Sequence, residues 1–202
     1  MRIGIDFDNT IAGYDHAFVS LAVDWRIIDV ATVKTKTEVR EALRAREGGE
    51  REWQKLQGRV YGAEMHRASL INGVDAFLNE AHKRGDDVFI VSHKTEFGHF
   101  DPDRINLRDA ARAWMTALDF FNPNGFSLNL DHVFFHDTRE KKIAEITALD
   151  LDWFIDDLPE VFATTGFPDT VKKILFTNGA DHSEMPYSVR KHWSDIQSLI
   201  YP

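Results

Sequence analysis

The sequence predicts an α/β fold built on a mainly parallel sheet with a doubly wound core. Strand-like and helix-like segments alternate along most of the chain, the pattern of strands joined by helical crossovers. Several of the short apolar runs end directly in carboxylate, hydroxyl or amine side chains. The one long break in the alternation, between Gly13 and Gly73, carries only helical patterns.

Arg2-Ile3-Gly4-Ile5 is short, apolar and β-branched and reads as a buried strand; it runs into Asp6-Phe7-Asp8-Asn9-Thr10. Phe18, Leu21, Ala22 and Trp25 then recur at helical spacing, followed by Val39, Ala42 and Leu43 and by Trp53, Leu56 and Val60. Residues 13–72 are therefore expected to form a helical insertion, with 1–12 and 73–202 as the α/β core. Gly13 and Gly73 bracket that insertion like hinges. The segment from Asn72 to Gly85 precedes the strand Val88-Phe89-Ile90-Val91, which ends in Ser92-His93-Lys94. A helix from about Asn106 to Phe121 and a strand at Val133-Phe134-Phe135 follow. The helix from Thr138 to Leu149 contains Lys141 and Lys142, and the strand Trp153-Phe154-Ile155 ends in Asp156-Asp157. Lys173-Ile174-Leu175-Phe176 reads as a late strand and Ser188 to Ile200 as a closing helix.

At 202 residues the chain fits one domain with a modest insertion. A chain of that size buries roughly 70% of its unfolded surface and needs no disulfide or structural metal to fold. The absence of cysteine excludes disulfides, zinc-thiolate sites and thiol catalysis. A formal charge of −9 argues against a nucleic acid polymer or an anionic membrane as partner. With no leader-like start and no apolar stretch of spanning length, the expectation is a soluble cytoplasmic protein. The oligomeric state is not legible. An acidic protein can still take an anionic phosphate ester where a cation neutralises the site locally.

Open α/β sheets bind ligands at the C-terminal ends of their strands. Asp6 and Asp8 leave such an end, although Asp, Asn and Thr are also ordinary turn residues. Further along come Ser92, a lysine on a helix, and Asp156-Asp157, each but the lysine at a strand end. That order resembles the four motifs of the haloacid dehalogenase superfamily of phosphatases and related phosphoryl-transfer enzymes, and the match runs from Arg2 to about Glu160.

The resemblance implies a Rossmann-like core and a helical cap inserted after the first motif, closing over the catalytic face and reading the substrate. It implies Asp6 as the nucleophile that forms an aspartyl-phosphate, and Asp8 as general acid and base, with the backbone carbonyl of Asp8 on the metal. Ser92 would donate its hydroxyl to a phosphoryl oxygen. Asp156 and Asp157 would complete with Asp6 an all-oxygen site suited to Mg²⁺, Asp156 directly and Asp157 through water or as support. The third motif needs one lysine. Ile143, Ile146 and Leu149 define the apolar arc of their helix; Lys142 falls at its edge and Lys141 points to solvent, which selects Lys142.

Asn9, Thr10, His93, Lys94, Arg59 and Tyr61 are further candidates for substrate contact, with turn, solvated loop and surface packing as their ordinary readings. His93, His99, Asp101 and Asp103 cluster in a loop containing Gly and Pro, which reads as a loop before it reads as a metal site. The expected activity is Mg²⁺-dependent hydrolysis of a small-molecule phosphate monoester, in the manner of small capped phosphatases and nucleotidase-like members. A phosphomutase uses the same motifs, and a binding module that lost turnover would keep them. A receiver domain fits less well, because it places adjacent acids after its first strand and lacks the insertion. The dehalogenase branch needs neither a second Asp nor a metal.

Overall fold

The computed structural model describes residues 1–28 and 33–202. In chain order the elements are β1 (Arg2–Ile5), β2 (Ala12–Gly13), α1 (Asp15–Asp24), α2 (Lys36–Arg44), α3 (Gly49–Tyr61), β3 (Ser69–Leu70), α4 (Val74–Arg84), β4 (Asp87–His93) and α5 (Leu107–Ala117). There follow β5 (Val133–His136), α6 (Arg139–Ala148), β6 (Trp153–Asp156), α7 (Pro159–Phe162), β7 (Lys172–Phe176), β8 (Ser188–Arg190) and α8 (Trp193–Ile200). The chain divides into two compact units. Met1–Ala12, Leu70–Lys94 and Leu118–Pro202 form unit 1; Gly13–Ser69 and Thr95–Ala117 form unit 2.

Unit 1 is a six-stranded sheet in the order β5-β4-β1-β6-β7-β8, with every pairing parallel. From β1 the chain winds outward through β4 and β5, then returns to the other side of β1 and winds outward through β6, β7 and β8. The direction reverses between β1 and β6, so the crevice of this sheet opens beyond their C-terminal ends. Alternation along the strands assigns the faces. Phe89, Val91, Phe154 and Leu175 pack with Ile143 and Ile146 of α6. Gly4 belongs to that face, and a Cβ there would stand 2.5 Å from the side chains of Leu151 and Phe154, so only glycine lets them close against β1. On the other face, Phe77 of α4 and Phe176 pack on Trp193 of α8, with ring centroids 5.0 and 5.7 Å apart. Helix α4 is bracketed by Gly73 and Gly85, both at positive φ; Gly85 ends the helix in the left-handed conformation that glycine adopts without strain.

Unit 2 is helical. Helices α1, α2 and α3 pack on one another and α5 packs on α3. Its centre is aromatic: Phe18 stacks on Trp53 at 4.8 Å, and Tyr14 meets Tyr61 edge-on at 4.8 Å. Thr35 and Glu38 form a capping box that starts α2. Asn106 caps α5 by accepting the Arg108 and Asp109 N–H groups.

Three sequence expectations need correction. The helix expected from Asn106 to Phe121 ends at Ala117 and packs within unit 2 rather than the core. Its apolar stripe, Leu107, Ala111, Trp114 and Met115, specifies burial but not which neighbour supplies it. The closing helix does not start at Ser188: Ser188–Arg190 pairs with β7 as an edge strand too short to show alternation, and the helix begins at Trp193. Trp25 lies one residue beyond the end of α1 and is 42% exposed, so the apolar stripe stops at Ala22. Among the described residues, no helix is long and apolar enough to cross a membrane.

Candidate active site

Asp6 immediately follows β1, and its N–H continues the ladder by donating to Ile155 O at 2.8 Å. Asp156 is the last residue of β6. Period-2 alternation puts Asp6 on the face of Gly4 and Asp156 on the face of Phe154, which is the α6 face. Lys142 rises from α6 between them. Its Nζ donates to Asp6 Oδ1 at 2.5 Å and to Asp156 Oδ2 at 2.6 Å, and it is fully enclosed beside the Phe154 ring. Asp156 Oδ1 accepts the Leu158 N–H at 2.9 Å, which fixes its plane. Lys141 is exposed and lies 3.7 Å from Asp137, as a surface ion pair. Thr138 caps α6 by accepting the Lys141 N–H, and so holds the register on which the choice between the two lysines rests.

Electrostatically the cluster is unfinished. One ammonium cannot neutralise two buried carboxylates. Burial, against the pull of Lys142 and with the push of Asp156, raises Asp6 to about 7. Lys142 is raised as well: burial opposes its charge, but Asp156 and Asp6 more than offset that, so it stays an ammonium. Because Asp6 holds its proton more tightly folded than unfolded, its contribution to stability is present at low pH and is lost as pH rises through about 7.

The segment after Asp6 is a tight loop in which Ile11 and Ala12 both donate to Phe7 O and Asn9, at φ 60°, donates to Ala12 O. It presents Asp8, which meets a residue whose ordinary sequence reading is a solvated loop. Lys94 is buried, and its Nζ lies 2.9 Å from both carboxylate oxygens of Asp8. Lys94 follows Ser92 by two and is buried like it, while His93 between them is exposed and reaches Asp137 O at 2.8 Å. Ser92 is buried on β4, the strand beside β1.

The other candidates are held elsewhere. Thr10 is fully buried; its carbonyl accepts from Trp193 Nε1, and its hydroxyl finds no partner among the described residues. In unit 2 Arg59 is paired with Asp101 and Asp103, and the Tyr61 hydroxyl accepts from Lys36 Nζ at 2.8 Å. The His93, His99, Asp101 and Asp103 stretch gathers no metal-ligand set among the described residues. Asp101 is buried and accepts the Asp103 and Ile105 N–H groups, so that stretch is an organised loop.

No protein-family model matches the sequence, and no curated protein does. Solved structures match over nearly the whole chain at low identity. A HAD-superfamily hydrolase from Ehrlichia chaffeensis superposes with a TM-score of 0.59 at 14% identity, over 98% of this chain and 95% of that one. A phosphoserine phosphohydrolase-like protein from Francisella tularensis gives 0.55 at 13%, over 98% and 99%. Protein Tyrosine Kinase A from Mycobacterium tuberculosis gives 0.64 at 14%, over 100% and 98%. The fold is that of the HAD-superfamily hydrolases. Since the structures that share it carry the names of hydrolases and of a kinase, the HAD fold alone does not decide the reaction, and the side chains must.

The donor set fits a hard divalent cation. Asp6, Asp156 and Asp157 bring ligand atoms within 4.8 Å of one another, all of them oxygen. Three carboxylates against one ammonium leave two negative charges, which Mg²⁺ would balance. Proton and metal then compete for Asp6. In calorimetric titration, Mg²⁺ affinity should fall about tenfold per pH unit below 7 and level off above it, with about one proton released per ion at pH 6. Proton release that does not change between pH 6 and 8.5 would contradict the assignment of that pKa to Asp6.

Proposed function

We propose that the protein is a phosphatase that hydrolyses a small-molecule phosphate monoester through an aspartyl-phosphate on Asp6, with unit 2 as its cap. One observation carries this reading: the Lys142 ammonium is shared by Asp6 and Asp156 at the switch point of the sheet, with Asp157 in reach and Asp8 two residues away. The arrangement supplies a fixed carboxylate nucleophile, a cation to hold a phosphoryl oxygen, and a second acid for the proton.

Asp6 attacks phosphorus, and the bond from phosphorus to the leaving oxygen breaks as Asp8 gives that oxygen a proton. Asp8 then takes a proton from the water that attacks the acyl phosphate, which frees inorganic phosphate and restores Asp6. Ser92 and Lys142 hold the nonbridging oxygens where charge gathers. Lys94, on both oxygens of Asp8, sets where that carboxylate stands; an incoming phosphate ester competes for the same ammonium and would release Asp8 to take up from solvent the proton that it gives to the leaving oxygen. Mg²⁺ held by Asp6, Asp156, the Asp8 carbonyl and Asp157 would screen the approach of one anion to another.

A screen of sugar phosphates, nucleoside monophosphates and small phospho-acids tests this. Free phosphate should be released with Mg²⁺, and EDTA should abolish the release. Release in metal-free buffer would contradict the metal site. Migration of the phosphoryl group without release would turn the reading to a mutase.

A further inference from the structure

On one face of α3 the residues Arg51, Lys55 and Arg59 recur at i, i+4 and i+8 and line up as a cationic stripe. Beside it runs the loop 98–103. The loop comes that close because two glycines meet: a Cβ on Gly98 would stand 2.6 Å from the Gly58 Cα, so no other residue fits there without moving backbone. The buried Asp101 organises the loop by pairing with Arg59 and accepting two backbone N–H groups. The residue before it, Phe100, is left half exposed at φ 58°, a conformation that is costly for a bulky side chain.

Phe100 is not alone. With Trp25, also exposed, it lines a cavity of about 540 Å³ together with Lys55, Arg59, Pro102 and Asp103. That volume lies within the roughly 300–1,000 Å³ of small-molecule sites. The Arg51 guanidinium sits 5.0 Å from the Phe100 ring centre. Asp101 and Asp103 are committed to Arg59, whereas Arg51 and Lys55 form no ion pair among the described residues. In a chain of net charge −9 this is a local excess of positive charge around two exposed aromatic planes.

We propose that this cavity of unit 2 is a binding site for a planar aromatic anion of the nucleoside monophosphate class. The base stacks on Phe100 and Trp25, and the phosphate is held by Lys55, with Arg51 adding charge beside the stack. Single-stranded nucleic acid uses the same chemistry, but a volume of about 540 Å³ and an acidic chain favour one nucleotide over a strand. The site stands whether or not Asp6 is a nucleophile.

The test uses the full chain carrying Asp6→Asn, so that no turnover consumes the probe, in Mg²⁺-free buffer with calorimetric detection. AMP should bind, and adenosine and ribose 5-phosphate, each with half of the chemistry, should bind at least about tenfold more weakly. Lys55→Ala and Phe100→Ala, both at exposed positions, should each weaken AMP about tenfold, while Phe100→Tyr, which keeps the ring, should retain it. No AMP binding at millimolar concentration would overturn the proposal. So would AMP binding unaffected by Lys55→Ala and Phe100→Ala, ribose 5-phosphate binding as tightly as AMP, or an oligonucleotide binding where AMP does not.

Discussion

Asp6→Asn protein is expected to fold and to release no phosphate from any ester that the wild type hydrolyses. Removing a nucleophile from a covalent mechanism costs on the order of 10⁴–10⁶ in rate, because the remaining groups have no bond to assist. Asparagine is close in shape and its carbonyl still accepts from Lys142, so geometry is kept. The substitution also removes the carboxylate whose proton is held up to about pH 7 by burial. In metal-free buffer at pH 8 the variant should therefore melt above the wild type, by an amount on the order of a few kcal/mol. Loss of activity together with gain of stability is the signature of a charge placed for chemistry rather than for folding. A variant that loses both would make Asp6 a structural residue.

Lys142→Ala is the second large effect. It strips the ammonium that holds two buried carboxylates, and breaking a buried pair from one side costs about 3–5 kcal/mol. Activity per folded molecule should fall on the order of 10²–10³, the loss expected when a preorganised contact to a transferring group is removed. Millimolar Mg²⁺ should recover part of the lost stability, since a dication at Asp6 and Asp156 supplies the missing positive charge. Lys141→Ala removes an exposed ion pair to Asp137 worth at most about 1 kcal/mol and should leave activity within a small factor of wild type. Thermal melts and steady-state rates on both variants decide the matter, and the reverse pattern would mean that the α6 register was misread.

The residues that meet at the cluster were legible because local periodicity and sheet topology agree there. An apolar run says where β1 and β6 end, a parallel sheet says that both ends share one edge, and the arc of Ile143 and Ile146 says which lysine faces it. The strand period relates Lys94 to the buried Ser92, since β4 runs on through His93, but the contact with Asp8 depends on how the loop after β1 folds and has no local signal. What the sequence hid depends on long-range partners. The stripe of α5 looks the same whether it covers a sheet or packs on α3, and no local signal distinguishes them. Ser188–Arg190 becomes a strand only because β7 offers it an edge. The approach of Gly58 to Gly98, and with it the cavity beside α3, joins segments forty residues apart through a contact that has no sequence period at all.

An aspartyl-phosphate on Asp6 can be trapped and located in the chain. Wild type and Asp8→Asn protein are incubated with Mg²⁺ and an ester having a good leaving group, quenched in acid, and mapped by peptide mass spectrometry with and without hydroxylamine. A hydroxylamine-labile phosphoryl group is expected on the peptide carrying Asp6, persisting longest in Asp8→Asn, where the water that clears it has lost its base. Phosphate released with no label on Asp6 in either protein, or a label on another side chain, would contradict it.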